Sequence, residues 1–275
     1  SVLMVNPADP NTIPKFIDPL PIPSVAERVN CYDDKSEEAY YNITMEESKH
    51  RFHLYFPLTT IWGYNGEYPG PTIEVMKDSH ILVRWTNMLP DKHLLPIDHT
   101  LHSTSDTPDV RTVVHVHGAN VDSESDGYPE AWFTRDYSMV GKSFKREVYE
   151  YTNHQPGTTL WYHDHTMGIT RLNVYAGLAG FYIIRDVLEE RLNLPSGKYE
   201  IPLMIQDKSF NSDGSLFYPD GPVVNPGEPE FPVKPSIVPL FLGNTIVVNG
   251  KVWPYLNVEP RKYRFRILNG CNGRP

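Results

Sequence analysis

An all-β sandwich or barrel is the fold class the sequence predicts, on three observations. Short segments rich in β-branched and aromatic residues recur along the chain, and turn sequences separate them at regular intervals. Proline contributes 26 of 275 residues, nearly twice the usual share, as many short strands joined by turns and ordered loops require.

Residues 1–36 are punctuated by Pro7, Pro10, Pro14, Pro19, Pro21 and Pro23 without hydrophobic periodicity, and are expected to form an extended arm on a domain surface. Strands are predicted at Tyr40–Met45, His50–Phe56, Thr72–Val75, Ile81–Asn87, Val110–His117, Phe144–Tyr151, Thr159–His163 and Ala179–Arg185. Turns fall at Tyr64-Asn65-Gly66, Pro69-Gly70-Pro71 and Gln155-Pro156-Gly157. A polar, helix-prone stretch over Val187–Asn193 marks a boundary near 186–200, followed by strands at Ile201–Gln206 and Thr245–Asn249. Between those two, Asn211–Pro239 reads as a long loop rich in Gly, Pro, Asp and Asn.

A weak internal repeat crosses that boundary. Asn65-Gly66, Ile73–Val75 and Ile81–Asn87 return as Asn249-Gly250, Leu256–Val258 and Tyr263–Asn269, the offset falling from 184 at the first Asn to 182 at the last. Such drift is what small loop insertions produce between two copies of one domain. The second copy stops before a counterpart of His115 would occur, so the chain is expected to be a fragment.

Composition narrows the function classes. A net charge of −9 without a Lys/Arg run argues against nucleic acid as a partner. No apolar run approaches the length of a membrane span, and the N-terminus carries no recognisable signal peptide, so neither membrane insertion nor a leader is expected in this sequence. The two cysteines, Cys31 and Cys271, are too few for a zinc ribbon or a disulfide framework.

The chemistry-bearing feature is a pair of His-X-His motifs, His115-Val116-His117 and His163-Asp164-His165, in a chain with no histidine after residue 165. In a strand, residues two apart share a face about 6.5–7 Å from each other, so each motif presents two imidazoles together. Four imidazoles on two strands suit Cu, Zn, Fe or Ni, and the spacing does not choose among them. Asp164, between two candidate ligands, should point to the opposite face and play a structural part. His50, His53, His80, His93, His99, His102 and His154 have no partner at ligand spacing and are read as solvated or locally hydrogen-bonded.

With Thr112–Gly118 and Leu160–His165 in view, the chain resembles the multicopper oxidases, closest to the bacterial spore-coat laccase type. The likeness runs through Ile61–Gly66, Pro69–Glu74, Leu95–His99, Asp126–Trp132, Thr170–Gly177 and Val248–Tyr255. It implies a cupredoxin-like Greek-key β-sandwich or barrel: a first cupredoxin domain over 37–186, a linker over 187–200, and the N-terminal part of a second cupredoxin domain over 201–275. It implies copper as cofactor, with His115 on the type 2 ion and His117, His163 and His165 on the type 3 pair, and with the type 1 copper in a domain this chain does not contain. Asp126 matches the acidic residue beside the solvent path to such a cluster and is assigned a proton-relay role. In isolation Ser125-Asp126-Gly127 is also good turn chemistry.

The implied activity is one-electron oxidation of phenolic, aromatic or tetrapyrrole reductants coupled to reduction of dioxygen to water. It requires the C-terminal remainder of the same protein, so this chain alone is expected to be inactive. The implied location is the spore coat, or outside the cell if a leader was removed. Two other readings compete. A mononuclear Zn or Fe barrel enzyme would carry one metal per chain, and a non-catalytic copper-binding coat protein would react with no reductant.

Overall fold

The computed structural model describes residues 8–29, 39–220 and 241–275. Its elements run β1 (Ala39–His50), β2 (Thr59–Tyr64), β3 (Gly70–Met76), β4 (Ile81–Asn87), β5 (Val114–His117), β6 (Val148–Tyr151) and β7 (Thr158–Asp164). Then come α1 (Thr170–Ala176), β8 (Ala179–Arg185), α2 (Val187–Arg191), β9 (Glu200–Phe210), β10 (Leu216–Phe217), β11 (Thr245–Val248), β12 (Lys251–Val252) and β13 (Arg264–Asn269). The expected all-β class holds.

Two four-stranded sheets, ordered β2-β1-β4-β6 and β3-β8-β7-β5, face one another, and a third sheet orders β10-β9-β11-β12 with β13 on the other side of β9. The core between the first two is aromatic. Tyr162 of β7 lies 4.7 Å from Tyr64 of β2 and 5.3 Å from Trp85 of β4, ring centre to ring centre, and all three are buried. Rings of this size stabilise by about 1.5–3 kcal/mol each on burial, and Tyr162 adds a hydrogen bond to the Pro71 carbonyl at 2.6 Å. Alternation along β7 turns this packing into a constraint: seating Tyr162 in the core puts His163 on the other face.

The third sheet repeats the first in pairing. β1 pairs antiparallel with β2 and parallel with β4; β9 pairs antiparallel with β11 and parallel with β13. Met45 lies opposite Asn87, as Ile205 lies opposite Asn269. Both hairpin turns use Asn-Gly in the left-handed region, Asn65 and Gly66 at φ 54° and 68°, Asn249 and Gly250 at 47° and 79°. Each turn Asn bonds the equivalent strand amide through its side chain, Asn65 Oδ1 from Thr44 N–H at 2.9 Å and Asn249 Oδ1 from Met204 N–H at 2.8 Å.

Some elements differ from expectation. Of the strand predicted over His50–Phe56, only His50 is extended, as the end of β1. Phe52 and His53 are both buried while Leu54 and Tyr55 are exposed, which no alternating strand allows. This bend instead wedges Phe52 between Tyr68 and Phe210, at 4.9 and 5.1 Å. β5 and β6 are shorter than predicted: Thr112 exchanges backbone bonds with Phe133 ahead of β5, and Phe144 N–H turns back to the Gly141 carbonyl ahead of β6, rather than either continuing its ladder. α1 was not predicted: Leu172 to Ala176 are all buried, so it has no polar face to reveal a helical period. It stops at Gly177, φ 134°, where a β-carbon would lie 2.1 Å from the Trp62 carbonyl.

The described part of the N-terminal arm, residues 8–29, is laced to both halves of the molecule. Phe16 N–H and Leu20 N–H reach the carbonyls of Trp253 and Tyr255, while Ser24 and Ala26 bond the backbone of Thr72. Cys31 and most of the Asn211–Pro239 loop, residues 221–239, lie outside the described residues, as does the Cys31–Cys271 pairing question. No helix of the described residues is long and apolar enough to cross a membrane.

Candidate metal centre

β5 and β7 are antiparallel neighbours whose register sets His115 opposite His163 and His117 opposite Trp161. Both strands send their alternate residues, Val116 and Tyr162, into the core, so the histidines share the other face. His165 follows β7 and completes the group. Ring centres lie 5.6 Å apart for His115–His117, 5.7 Å for His115–His163 and for His117–His163, 5.9 Å for His163–His165, and 4.7 Å for the stacked pair His115–His165. The structure therefore brings all four sequence-predicted candidates together.

Hydrogen bonds fix which nitrogen each ring offers. Nδ1 of His115 donates to the Asp126 carbonyl at 2.6 Å, Nδ1 of His163 to the Asp164 carbonyl at 2.7 Å, and Nδ1 of His165 to the Gly127 carbonyl at 2.9 Å. A carbonyl can only accept, so each ring carries its proton on Nδ1 and keeps the Nε2 lone pair for another partner. His117 differs. Its Nδ1 faces His163 Nε2 at 3.4 Å, the spacing of two nitrogens bound at about 2.0–2.1 Å to one tetrahedral ion. Burial pushes the His163 imidazole down to about 3, so it stays neutral over the physiological range, and burial also holds His165 below its ordinary value.

The surroundings hold the rings still. Trp161 packs 4.2 Å from His163 and stacks along His117 at 6.1 Å, closing one side of the group. Asp164 lies on the opposite face, fully buried, and accepts from Val113 N–H, Thr166 N–H and the Thr166 hydroxyl at 3.2, 2.9 and 3.0 Å. Burial raises its carboxyl to about 7. Asp126 is half-buried, with Oδ1 3.4 Å from His115 Nδ1. Its main-chain carbonyl makes the shorter contact, and no sequence signal distinguishes that role from the side chain's. The remaining described histidines stay outside the group. Among them His53 and His93 are buried rather than solvated, held by the Pro14 carbonyl and by Asn173.

Four imidazoles on adjacent strands of a β-sandwich, three with Nε2 unprotonated and two with nitrogens at common-ion spacing, offer the donor set of a transition-metal centre. The class defined here is an all-β protein whose candidate metal ligands project from paired strands. The chain belongs to the multicopper oxidase family: the family model described as Multicopper oxidase matches residues 44–110 and 104–188, a span that includes all four histidines. The chain is 56% identical over 266 residues to a laccase of Bacillus subtilis, covering 96% of this chain and 51% of that protein. It is 57% identical over 261 residues to a laccase of Bacillus stratosphericus, covering 94% and 50%. The solved laccase of Pediococcus acidilactici superposes with a TM-score of 0.69 at 27% identity, over 94% of this chain and 47% of that one. The fold is that of the cupredoxin-type multicopper oxidases, and the family implies copper as the metal. The chain spans about half the length of the curated relatives it matches.

Proposed function

We propose that this chain supplies one wall of a copper cluster in a laccase-type oxidase, which takes single electrons from phenolic, aromatic or tetrapyrrole reductants and passes four of them, with four protons, to dioxygen to give two waters. The observation that carries the proposal is the shared face of β5 and β7, where four imidazoles converge, three of them pinned through Nδ1 by main-chain carbonyls. His115 would hold the type 2 ion, and His117, His163 and His165 the type 3 pair. Copper, when bound, supplies reversible one-electron redox chemistry.

The residues of this chain do the holding and the proton handling. Carbonyls of Asp126, Gly127 and Asp164 orient the rings, and Trp161 shields His163 and His117. The Asp126 carboxylate, half-buried beside His115, would relay protons to the cluster. Among the described residues no three His, Cys, Asp or Glu side chains form a group able to hold one ion. The laccase relatives are about twice as long as this chain, and that length supports a second ligand set, and the type 1 copper, in a C-terminal remainder of the same protein.

A division into an arm (1–36), a first cupredoxin domain (37–186), a linker (187–200) and part of a second domain (201–275) accords with the repeated strand pairing. So does the outer edge of β13, which among the described strands pairs only with β9 and leaves Phe265 and Ile267 exposed, whereas its counterpart β4 is flanked by β6. The resemblance to spore-coat laccases suggests the spore coat or an extracellular location.

The test is metal content and turnover of the chain together with its C-terminal remainder. Copper at several ions per molecule and oxygen-dependent oxidation of a phenol are expected. A single zinc or iron without copper would establish the mononuclear alternative, and copper without turnover of any reductant would establish a non-catalytic binding protein.

A further inference from the structure

Two consecutive main-chain carbonyls, those of Asp126 and Gly127, receive Nδ1–H bonds from imidazoles that come from different strands, His115 of β5 at 2.6 Å and His165 after β7 at 2.9 Å. These are also the two rings that stack, 4.7 Å apart and 22° from parallel. A single turn thus sets the tilt of both.

That turn lies unusually close to the strand it serves. Gly127 has φ +73°, and a β-carbon there would meet Val114 O at 2.0 Å, Val114 C at 2.6 Å and His115 N at 3.0 Å. All three atoms are main chain of β5, so nothing flexible can yield to a methyl group. The turn is tied down on either side of this contact. Ser125 is buried and its hydroxyl accepts Glu150 N–H of β6 at 3.0 Å, while the Pro129 carbonyl accepts Met167 N–H at 3.1 Å.

We infer that Gly127 is a positioning residue for the cluster: its lack of a side chain lets one turn seat against β5 and fix the tautomer and tilt of His115 and His165 together. This rests on the reading of those histidines as copper ligands. Any β-carbon at 127 must lift the turn by about 1.4 Å to bring the 2.0 Å approach to Val114 O into ordinary contact, and a bond to either carbonyl weakens steeply on such a displacement. Ligand geometry tolerates only about 0.5 Å. His163 provides an internal reference, because its Nδ1 is held by Asp164, a carbonyl on its own strand that the turn does not touch.

The experiment uses the full chain with 15N-labelled histidine, stripped of metal by a chelator. Two-bond 15N–1H correlation reads the tautomer of each ring, and copper titration with metal analysis follows. In the unmodified protein His115, His163 and His165 are expected to carry Nδ1–H. Gly127→Ala should abolish a single Nδ1–H form at His115 and His165, leave His163 as it was, and weaken copper binding about 10–100-fold. Gly63→Ala is the control, equally tight at 2.3 Å from the Glu67 carbonyl but remote from the rings; it should leave all three tautomers in place. Should Gly127→Ala fail to fold, Ser125→Ala, which only loosens the turn from β6, should shift the same two rings and spare His163.

Retention of Nδ1–H at His115 and His165 in the folded variant would overturn the inference. So would loss at all three rings, or the same loss in Gly63→Ala, since either is the mark of general destabilisation. If the unmodified chain together with its C-terminal remainder bound no copper, the functional reading would fall, while the tautomers would still decide whether Gly127 sets the rings.

Discussion

Replacing His93 by glutamine should remove a defined part of the acid sensitivity of this protein. The His93 ring is buried 4.4 Å from Trp62, and its Nε2 lies 2.8 Å from Asn173 Oδ1. The amide orientation follows from Asn173 Nδ2, which donates to the Arg111 carbonyl at 3.1 Å, so the imidazole must donate through Nε2. Burial lowers the ring from 6.5 to about 4, outweighing the hydrogen bonds to Asn173 and Leu95 that favour its protonated form. The unfolded chain therefore takes up this proton more readily than the folded one.

Stability from the neutral ring is complete above pH 6.5 and is lost as the pH falls from 6.5 towards about 4. At about 1.4 kcal/mol per decade of proton affinity the ceiling is about 3 kcal/mol, of which about 2.5 kcal/mol is gone by pH 4.5. Urea unfolding followed by tryptophan fluorescence, at pH 7.5 and 4.5, measures it. At pH 7.5 His93→Gln should be less stable by about 1–3 kcal/mol, through lost packing on Trp62. That gap should shrink by about 2.5 kcal/mol at pH 4.5, because only the parent protein pays the protonation cost. Other buried groups titrate in both proteins and cancel in the difference. A gap that stays constant across the two pH values would refute the argument.

Three other outcomes follow from named contacts. Arg266→Met removes bonds of 2.6 Å to Glu200, 2.8 Å to Glu189 and 2.7 Å to Thr159. It leaves a buried carboxylate short of a partner, so urea unfolding should show a loss of about 3–5 kcal/mol, partly restored by adding Glu200→Gln. Asp126→Asn should leave copper content unchanged, because the main-chain carbonyl keeps His115. It should slow oxygen turnover about 10²-fold with a displaced pH profile, and parallel loss of copper by metal analysis would show that the side chain is structural. His117→Ala and His163→Ala each remove one nitrogen of the 3.4 Å pair. The double variant should therefore lose little more copper than either single one, a non-additivity that metal titration reads directly.

Much of the site was legible because strand geometry is local. His115 and His117 share a face whatever the fold, as long as the segment is extended, and the Asn-Gly turns that recur at 65 and 249 are set just as locally by their left-handed backbone. The strands around the histidines were equally legible from their β-branched and aromatic residues. The bend at 51–58 and the helix α1 were not. Phe52, His53 and the α1 residues Leu172 to Ala176 are buried by distant partners, so no periodic contrast with solvent is left in the sequence to read.

The sequence by itself determined the candidate metal-ligand types, their pairing on strands and the family to which the chain belongs. Only the tertiary structure decided that β5 and β7 align with His115 opposite His163, and that Asp126, Gly127 and Asp164 carbonyls hold the proton of three rings on Nδ1. The physical reason is separation along the chain. Side-chain alternation is written into each residue's own backbone, whereas the register of β5 on β7 and the reach of the 126–127 carbonyls to His115 and His165 depend on segments further apart in the chain, brought together by the buried Tyr64, Trp85 and Tyr162.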